Sequence, residues 1–377
     1  MDLKKFEDIL GSITNPVSGE SLRSEARLTK LEEQSGNLHI HYNREGIGAN
    51  EKRQLEDKIY QVLASEIDEE KVFLMSHSQA KAAPSAPVAE KKAALQAGHA
   101  PANAGKKRIE GVKKLIAVSS CKGGVGKSTV ALNLALSLKK MGHKVGLIDA
   151  DIYGPSLPTL LGVHDVQPKA AQKEGKKIAP VEVDGLKTIS FGYFIGENDP
   201  VIWRGPMLGG VLNQFLFDVD WGELDFMILD LPPGTGDMQL SMVQSTEVDG
   251  ALIVSTPQKV ALMDTKKGIK MFDQVKVPVL GLVENMSYFV PPESDTKYFI
   301  FGEGGAQKMA HELEIPFLGQ IPIEMALRES CDNGKGYMAN NEHEGRPVWN
   351  SYMEIAGKIG TLVGEESKGF WSKLFKK

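Results

Sequence analysis

The densest chemistry in the sequence lies in one short run, Cys121-Lys122-Gly123-Gly124-Val125-Gly126-Lys127-Ser128-Thr129. Glycines let successive backbone N–H groups turn inward on an anion, and a helix starting behind them adds the positive end of its dipole. A lysine and a hydroxyl residue at the far end suit phosphate oxygens and Mg²⁺. Cys121 to Gly126 are therefore expected to line the nucleotide, with Gly123, Gly124, Val125 and Gly126 cradling phosphate through the backbone. Lys127 should reach the β- and γ-phosphates, Ser128 should ligate Mg²⁺, and Thr129 is placed for the α-phosphate. The usual spacing Gly-x4-Gly-Lys-Ser needs glycine at 121, where this chain has Cys121, followed by a second lysine, Lys122. A Gly-rich turn before an ordinary helix is the plainer alternative. The apolar run LIAVSS in front and the helical VALNLALSLKKMG behind weigh against it.

Three further segments could complete such a site. Asp149 and Asp151 follow the apolar run KVGLI, and Asp230 follows FMIL. A carboxylate after such a run can hold Mg²⁺ through a water, so Asp230 is assigned to the metal and Asp149 to the Mg²⁺ shell or to loop structure. Behind Asp230, the stretch Leu231-Pro232-Pro233-Gly234-Thr235-Gly236-Asp237 has two prolines that stiffen the chain and two glycines that free it. A loop sensing the γ-phosphate needs both; Gly234 is placed at the nucleotide. Asp237 is expected to report nucleotide state by pairing with backbone or with a lysine. Asn285, after the run VLGL, carries a carboxamide that can both donate to and accept from an adenine edge. Gly319-Gln320-Ile321-Pro322 is expected on the other side of the base. A simple turn is the alternative at both places.

These residues need a scaffold that brings loop ends together. LIAVSS, KVGLIDAD, FMILDLPP, ALIVSTPQ and VLGLVENMS are near-continuous apolar runs that alternate with helical stretches. Continuous apolarity is what a parallel sheet covered on both faces requires. The expected fold is α/β, a doubly wound mostly parallel sheet of the P-loop NTPase kind over residues 108–365, with its ligands at the carboxyl ends of the strands. Ahead of it, residues 1–75 read as a small α/β domain in the order helix, hairpin, helix, strand. Leu3, Phe6, Ile9, Leu10 and Ile13 recur at helical spacing, and Leu38, Ile40 and Tyr42 alternate as in a strand. Residues 76–107 are rich in Ala, Pro and Lys, almost without large apolar side chains, and read as a flexible linker. Residues 366–377 form a basic amphipathic tail. Phe370, Trp371, Leu374 and Phe375 share one helical face, so contact with an anionic membrane surface and docking to a partner are both open.

Several segments then converge on a family. CKGGVGKSTVALNLA resembles the deviant Walker A loop of the MinD, ParA, ArsA and Mrp-like ATPases. DADIYGPSLPTLLG, WRGPM, DFMILDLPPGTGD, TPQKVALMDTKKGIKMF and ENMSYF narrow the resemblance to the Mrp/ApbC family of iron–sulfur cluster carrier ATPases, over about residues 108–345. LGSITNPVSGESL is similar to the small iron–sulfur assembly domain often fused ahead of such ATPases. The resemblance implies ATP binding, slow Mg²⁺-dependent hydrolysis, an ATP-sandwich homodimer and transfer of a cluster to apo iron–sulfur client proteins. It gives Lys122 the role of reaching the partner's nucleotide in trans, and Asp151 that of positioning the attacking water. Catalysis is thus expected from Lys122, Lys127 and Asp151.

The chain departs from the family at one point. Many members carry Cys-x-x-Cys soon after the Asn-Met-Ser segment, where paired motifs of a dimer would hold a 4Fe-4S cluster. Here the sequence runs NMSYFVPPESDTKYF, and the whole chain has 2 cysteines, Cys121 and Cys331. A cluster needs about four thiolates. His311, His343 or Glu303 could complete a set, yet no spacing requires them, and the Fe–S ligands are left open. Cys331 is read as a tolerated small residue in a loop. So few cysteines exclude a disulfide framework and suit a reducing cytoplasm. A net charge of −5 over 377 residues argues against a nucleic-acid footprint across the protein. MDLKKFEDIL lacks the apolar stretch of a signal peptide, and none is expected. A MinD- or ParA-like positioning ATPase, and an ATP-dependent scaffold without its own cluster, remain the alternatives.

Overall fold

The computed structural model describes residues 3–34, 37–44, 46–47, 49–64, 66–67, 71–77, 106–164, 166–194, 205–234 and 236–364. Contacts divide the chain into two units, Met1–Val88 and Ala89–Lys377. Nearly all of the linker and all of the tail fall outside the described residues, as do Trp203 and Arg204.

The first unit has helix α1 (Leu3–Gly11), strands β1 (Leu28–Gln34) and β2 (Asn37–Asn43), helix α2 (Ala49–Leu63) and strand β3 (Val72–His77). β1 runs antiparallel to β2, and β3 joins β2 in parallel. Leu38, Ile40 and Tyr42 of β2 are fully buried and pack with Phe6 and Leu10 of α1 and Leu55, Ile59 and Leu63 of α2. Alternation along β2 sends one set of side chains into this core.

The second unit is built on eight strands: β4 (Val112–Ser119), β5 (Val145–Asp149), β6 (Val181–Val183), β7 (Leu186–Ser190), β8 (Leu224–Asp230), β9 (Gly250–Ser255), β10 (Val279–Phe289) and β11 (Phe317–Ile323). They line up in the order β11-β10-β9-β4-β8-β5-β7-β6. Among the described strands of this sheet, only the edge pair β6–β7 is antiparallel. The helices between them are α3 (Lys127–Lys140), α4 (Leu157–Leu161), α5 (Gly205–Asn213), α6 (Asp237–Ser245), α7 (Lys259–Gln274), α8 (Gly305–Glu312), α9 (Met325–Asp332) and α10 (Pro347–Val363).

Successive residues of each inner strand feed opposite cores, which is why the strands read as unbroken apolar runs. Leu115 and Ala117 of β4 join α5, α6, α7 and α8 in one core. Ile116 and Val118 join α3, α4 and α10 in the other. The sheet is therefore doubly wound. The chain enters at the centre with β4 and later crosses to its other side with β9, so the loops after β4, β5 and β8 share one end of the sheet.

Candidate nucleotide-binding site

β4 delivers the chain into the loop 120–126, and α3 begins at Lys127. Gly124 and Gly126 have φ of 79° and 82°, the left-handed region that disfavours side chains. A Cβ at Gly123 or Gly124 would meet nothing within 4 Å, so the loop presents an open backbone cradle. At Gly126 the reason for glycine is different: a Cβ there would overlap Nδ2 of Asn285.

Lys127 and Asp230 are both almost wholly buried, at 6% and 2% exposure. Lys127 Nζ lies 2.5 Å from Asp230 Oδ1 and 3.1 Å from Ser128 Oγ. β4 and β8 are paired neighbours, so an ammonium, a carboxylate and a hydroxyl meet at one point behind the cradle. Burial pushes the Asp230 carboxyl up, while the Lys127 ammonium and the Ser128 hydroxyl pull it back.

Asp149 serves loop structure. Its Oδ2 accepts from the N–H groups of Ser156 and Leu157, each at 3.1 Å, and from Ser190 Oγ at 3.0 Å, while Oδ1 accepts from the Asp151 N–H at 3.2 Å. One buried carboxylate thus ties the loop after β5 to the start of α4 and the end of β7. Burial raises its carboxyl, and nearby Asp230 adds to the rise. Asp151 is half-buried and accepts from the Gly154 N–H at 3.3 Å, which closes a small turn. Lys122 is exposed, and its ammonium has no ion-pair partner among the described residues.

The loop after β8 lies against the phosphate loop. The Leu231 N–H donates to the Val118 carbonyl at 3.0 Å, and the Gly234 N–H to the Ser120 carbonyl at 2.9 Å. Gly234 has φ of 106°, which suits glycine. Buried Gln239, in the first turn of α6, reaches both Ser119 and Pro232. Reading the sequence missed this residue; its one signal was a polar side chain within an otherwise apolar helix face. Thr235 and the side chain of Asp237 lie outside the described residues.

Asn285 sits against the phosphate loop. Its Nδ2 donates to the Val125 carbonyl at 2.8 Å, and the residue is 5% exposed. The next residue, Met286, has φ of 57°, an uncommon value for a residue with a side chain. Asn285 thus braces the loop through one amide hydrogen, a contact the adenine reading did not foresee. Gly319, Gln320 and Ile321 pair in register with Val283, Glu284 and Asn285, and Gln320 Nε2 donates to the buried Glu284 at 2.9 Å. Past these pairs a cavity of about 290 Å³ opens, lined by Tyr288, Phe289, Pro322, Ile323, Glu324 and Arg346 among others.

The two cysteines lie on different elements, Cys121 in the phosphate loop and Cys331 on a helix. Cys121 turns its Sγ toward the Thr265 carbonyl of α7, at 3.9 Å, and burial pushes its thiol up to about 11. Cys331 lies on α9, where the sequence suggested a loop. It packs into the core shared by α3 and α10, close to the Thr129 hydroxyl, and burial raises its thiol too. Among the described residues no group of three or more His, Cys, Asp or Glu side chains stands ready for a metal. His311, His343 and Glu303 therefore belong to no such group; His343 stacks on Tyr337 and lies 3.3 Å from Ser330 Oγ.

Mg²⁺ fits the residues behind the cradle: half-buried Ser128 and buried Asp230 are hard oxygen donors at one point, with the backbone open in front of them.

Residues 111–360 match the ParA family as its NUBPL iron-transfer P-loop NTPase. The iron–sulfur cluster carrier protein of Synechocystis sp. is 49% identical over 252 residues, spanning 66% of this chain and 71% of its own. That of Salmonella typhimurium is 51% identical over 256 residues, 68% of each chain. Among solved structures, a nucleotide-binding protein of Archaeoglobus fulgidus in complex with ADP is similar at a TM-score of 0.55 and 39% identity, over 64% of this chain and 93% of that one.

Proposed function

The chain belongs to the NUBPL iron-transfer P-loop NTPases of the ParA family, and from that premise we propose a Mg²⁺-dependent ATPase that works as a homodimer and passes iron–sulfur clusters to apo-proteins. One observation carries the reading: buried Lys127 and Asp230 converge with half-buried Ser128 beneath an open glycine cradle. Ser128 and Asp230 would hold Mg²⁺, which supplies neutralisation of phosphate charge. The cradle N–H groups from Gly123 to Gly126 bind the phosphates, and Lys127 moves its charge from Asp230 to the β- and γ-oxygens. Thr129 meets the α-phosphate. Asp151 orients the attacking water, and the Asp149 bonds hold the Asp151 loop in place. Lys122, exposed and without an ion-pair partner among the described residues, supports a trans role across a dimer. Asn285 braces the loop and keeps its oxygen and second amide hydrogen for the adenine edge.

The cluster is cargo. Both thiols face inward, that of Cys121 toward the Thr265 carbonyl of α7 and that of Cys331 toward Thr129, which favours a second reading in which client or partner supplies the cluster ligands and this chain is the ATP-driven scaffold. Under either reading residues 1–75 serve as the assembly-type domain, 76–107 as tether and 108–365 as the motor. The working compartment is the cytoplasm. No helix among the described residues is long and apolar enough to cross a membrane.

Nucleotide binding and phosphate release by three chains test the site. The wild type should bind and hydrolyse Mg-ATP. Lys127→Ala should lose binding or hydrolysis. Asp151→Ala should bind normally and lose about a hundredfold or more in turnover. Undiminished binding and turnover in Lys127→Ala would refute the site, and undiminished turnover in Asp151→Ala would refute the water-positioning role.

A further inference from the structure

The loop after β8 and the phosphate loop are joined by one side chain to which neither the family nor the motifs assign a role. We propose that Gln239 is a positioning residue that makes the switch segment 231–234 follow the phosphate loop and so transmits nucleotide state to α6; this rests on the ATPase reading above.

Gln239 is 1% exposed and stands in the first turn of α6. Its Nε2 donates to the carbonyl of Pro232, and its Oε1 accepts from Ser119 Oγ at 3.4 Å. Ser119 is the last residue of β4, immediately ahead of the phosphate loop. The amide can point only one way, because the reverse orientation would set Oε1 against the Pro232 carbonyl oxygen.

The loop depends on this outside donor. Pro232 and Pro233 have no N–H, and the N–H of Gly234 is already given to Ser120. Pro232 is buried, so its carbonyl needs a partner. Two backbone bonds, Leu231 to Val118 and Gly234 to Ser120, seat the loop on the end of β4, and the Gln239 side chain fastens the same two segments to a helix. When the loop moves on the γ-phosphate, Gln239 must move with it or release Pro232. α6 carries that movement onward: Met242 and Val243 share a core with Val211 and Leu212 of α5. A rigid helix whose first turn is tied to the switch and whose later turns pack on another helix has the form of a two-position element.

The test compares wild type with Gln239→Ala, Gln239→Met and Ser119→Ala. Gln239→Met keeps the length and approximate shape and removes the donor. Affinity for ADP and for a non-hydrolysable ATP analogue is measured, with turnover and amide hydrogen exchange over residues 236–245. Both affinities should stay within about threefold of wild type. Turnover should fall about tenfold in both Gln239 variants, in the range that coupling between sites spans, and by a smaller factor in Ser119→Ala. In wild type the ATP analogue should protect α6 more than ADP does, and the Gln239 variants should lose that difference. Wild-type turnover with an intact ADP–ATP difference in Gln239→Met would overturn the proposal. If the Gln239 variants do not fold, Ser119→Ala decides from the other end of the link: unchanged turnover and exchange there would overturn it. A wild type that binds no nucleotide at all would sink the ATPase reading instead, a separate outcome.

Discussion

Gly126→Ala isolates the contact on which the phosphate loop is seated. Two costs are expected. The native φ of 82° is left-handed, which costs an alanine about 1–2 kcal/mol. The new Cβ also overlaps Nδ2 of Asn285, which is buried and bonded to the Val125 carbonyl. Displacing that amide leaves the carbonyl without its partner, a further loss of about 1–2 kcal/mol. Gly126→Ala should therefore destabilise the second unit by about 2–4 kcal/mol in total. Asn285→Ala removes only the bond and should cost about 1–2 kcal/mol. In the double variant the bond is lost once and the overlap is gone, so the sum of the single effects should exceed the double by about 1–2 kcal/mol. Urea unfolding followed by tryptophan fluorescence reads this cleanly. All 4 tryptophans, Trp203, Trp221, Trp349 and Trp371, lie in the second unit, so the first contributes no signal. Additivity within about 0.5 kcal/mol would refute the coupling, and with it the claim that Asn285 seats the loop.

Three further outcomes follow. Lys122→Ala should keep ADP binding and lose about a thousandfold in turnover, as when a trans-acting cation is removed; wild-type phosphate release would refute the trans role. Asp230→Ala leaves the Lys127 ammonium buried without its partner and should destabilise the second unit by about 3–5 kcal/mol, read by the same urea transition; an unchanged midpoint would contradict the buried pair. Burial lifts the Cys121 thiol from the ordinary 9.0 to about 11, so its thiolate at pH 8 should be about a hundredfold scarcer than a free thiol's. Its alkylation should be slow at pH 8, rise about tenfold per pH unit toward 11, and become fast in urea; free-cysteine rates in the native protein at pH 8 would contradict that burial. By linkage the raised thiol contributes stability fully present below pH 9.0 and lost as pH rises through about 11.

The phosphate loop and the inner strands were legible because each is a local pattern. LIAVSS, KVGLI and FMIL are unbroken apolar runs since both faces of β4, β5 and β8 are covered, and the glycine run follows directly in the chain. β6, β7 and β11 were not recognised as strands. β6 has three residues and β7 five, and β11 is broken by Gly319 and Pro322, which it tolerates as an edge strand. The carboxylates were found, but the jobs of Asp149 and Asn285 depend on partners brought in by other strands: Ser190 lies 41 residues from Asp149, and Val125 lies 160 from Asn285. Gln239 was invisible for the same reason, its two partners being joined only when β4 and β8 pair. Cys331 reads as loop because Gly334 and Lys335 follow it closely, yet α9 extends to Asp332.

The central claim, ATP-driven iron–sulfur transfer, is tested most directly by anaerobic reconstitution with iron and sulfide followed by transfer to an apo iron–sulfur acceptor with Mg-ATP. The wild type should bind iron and sulfide and activate the acceptor, and Lys127→Ala should fail to show the ATP-dependent part. An active ATPase that binds no iron and activates no acceptor would contradict the carrier account and leave the chain as a nucleotide-driven scaffold.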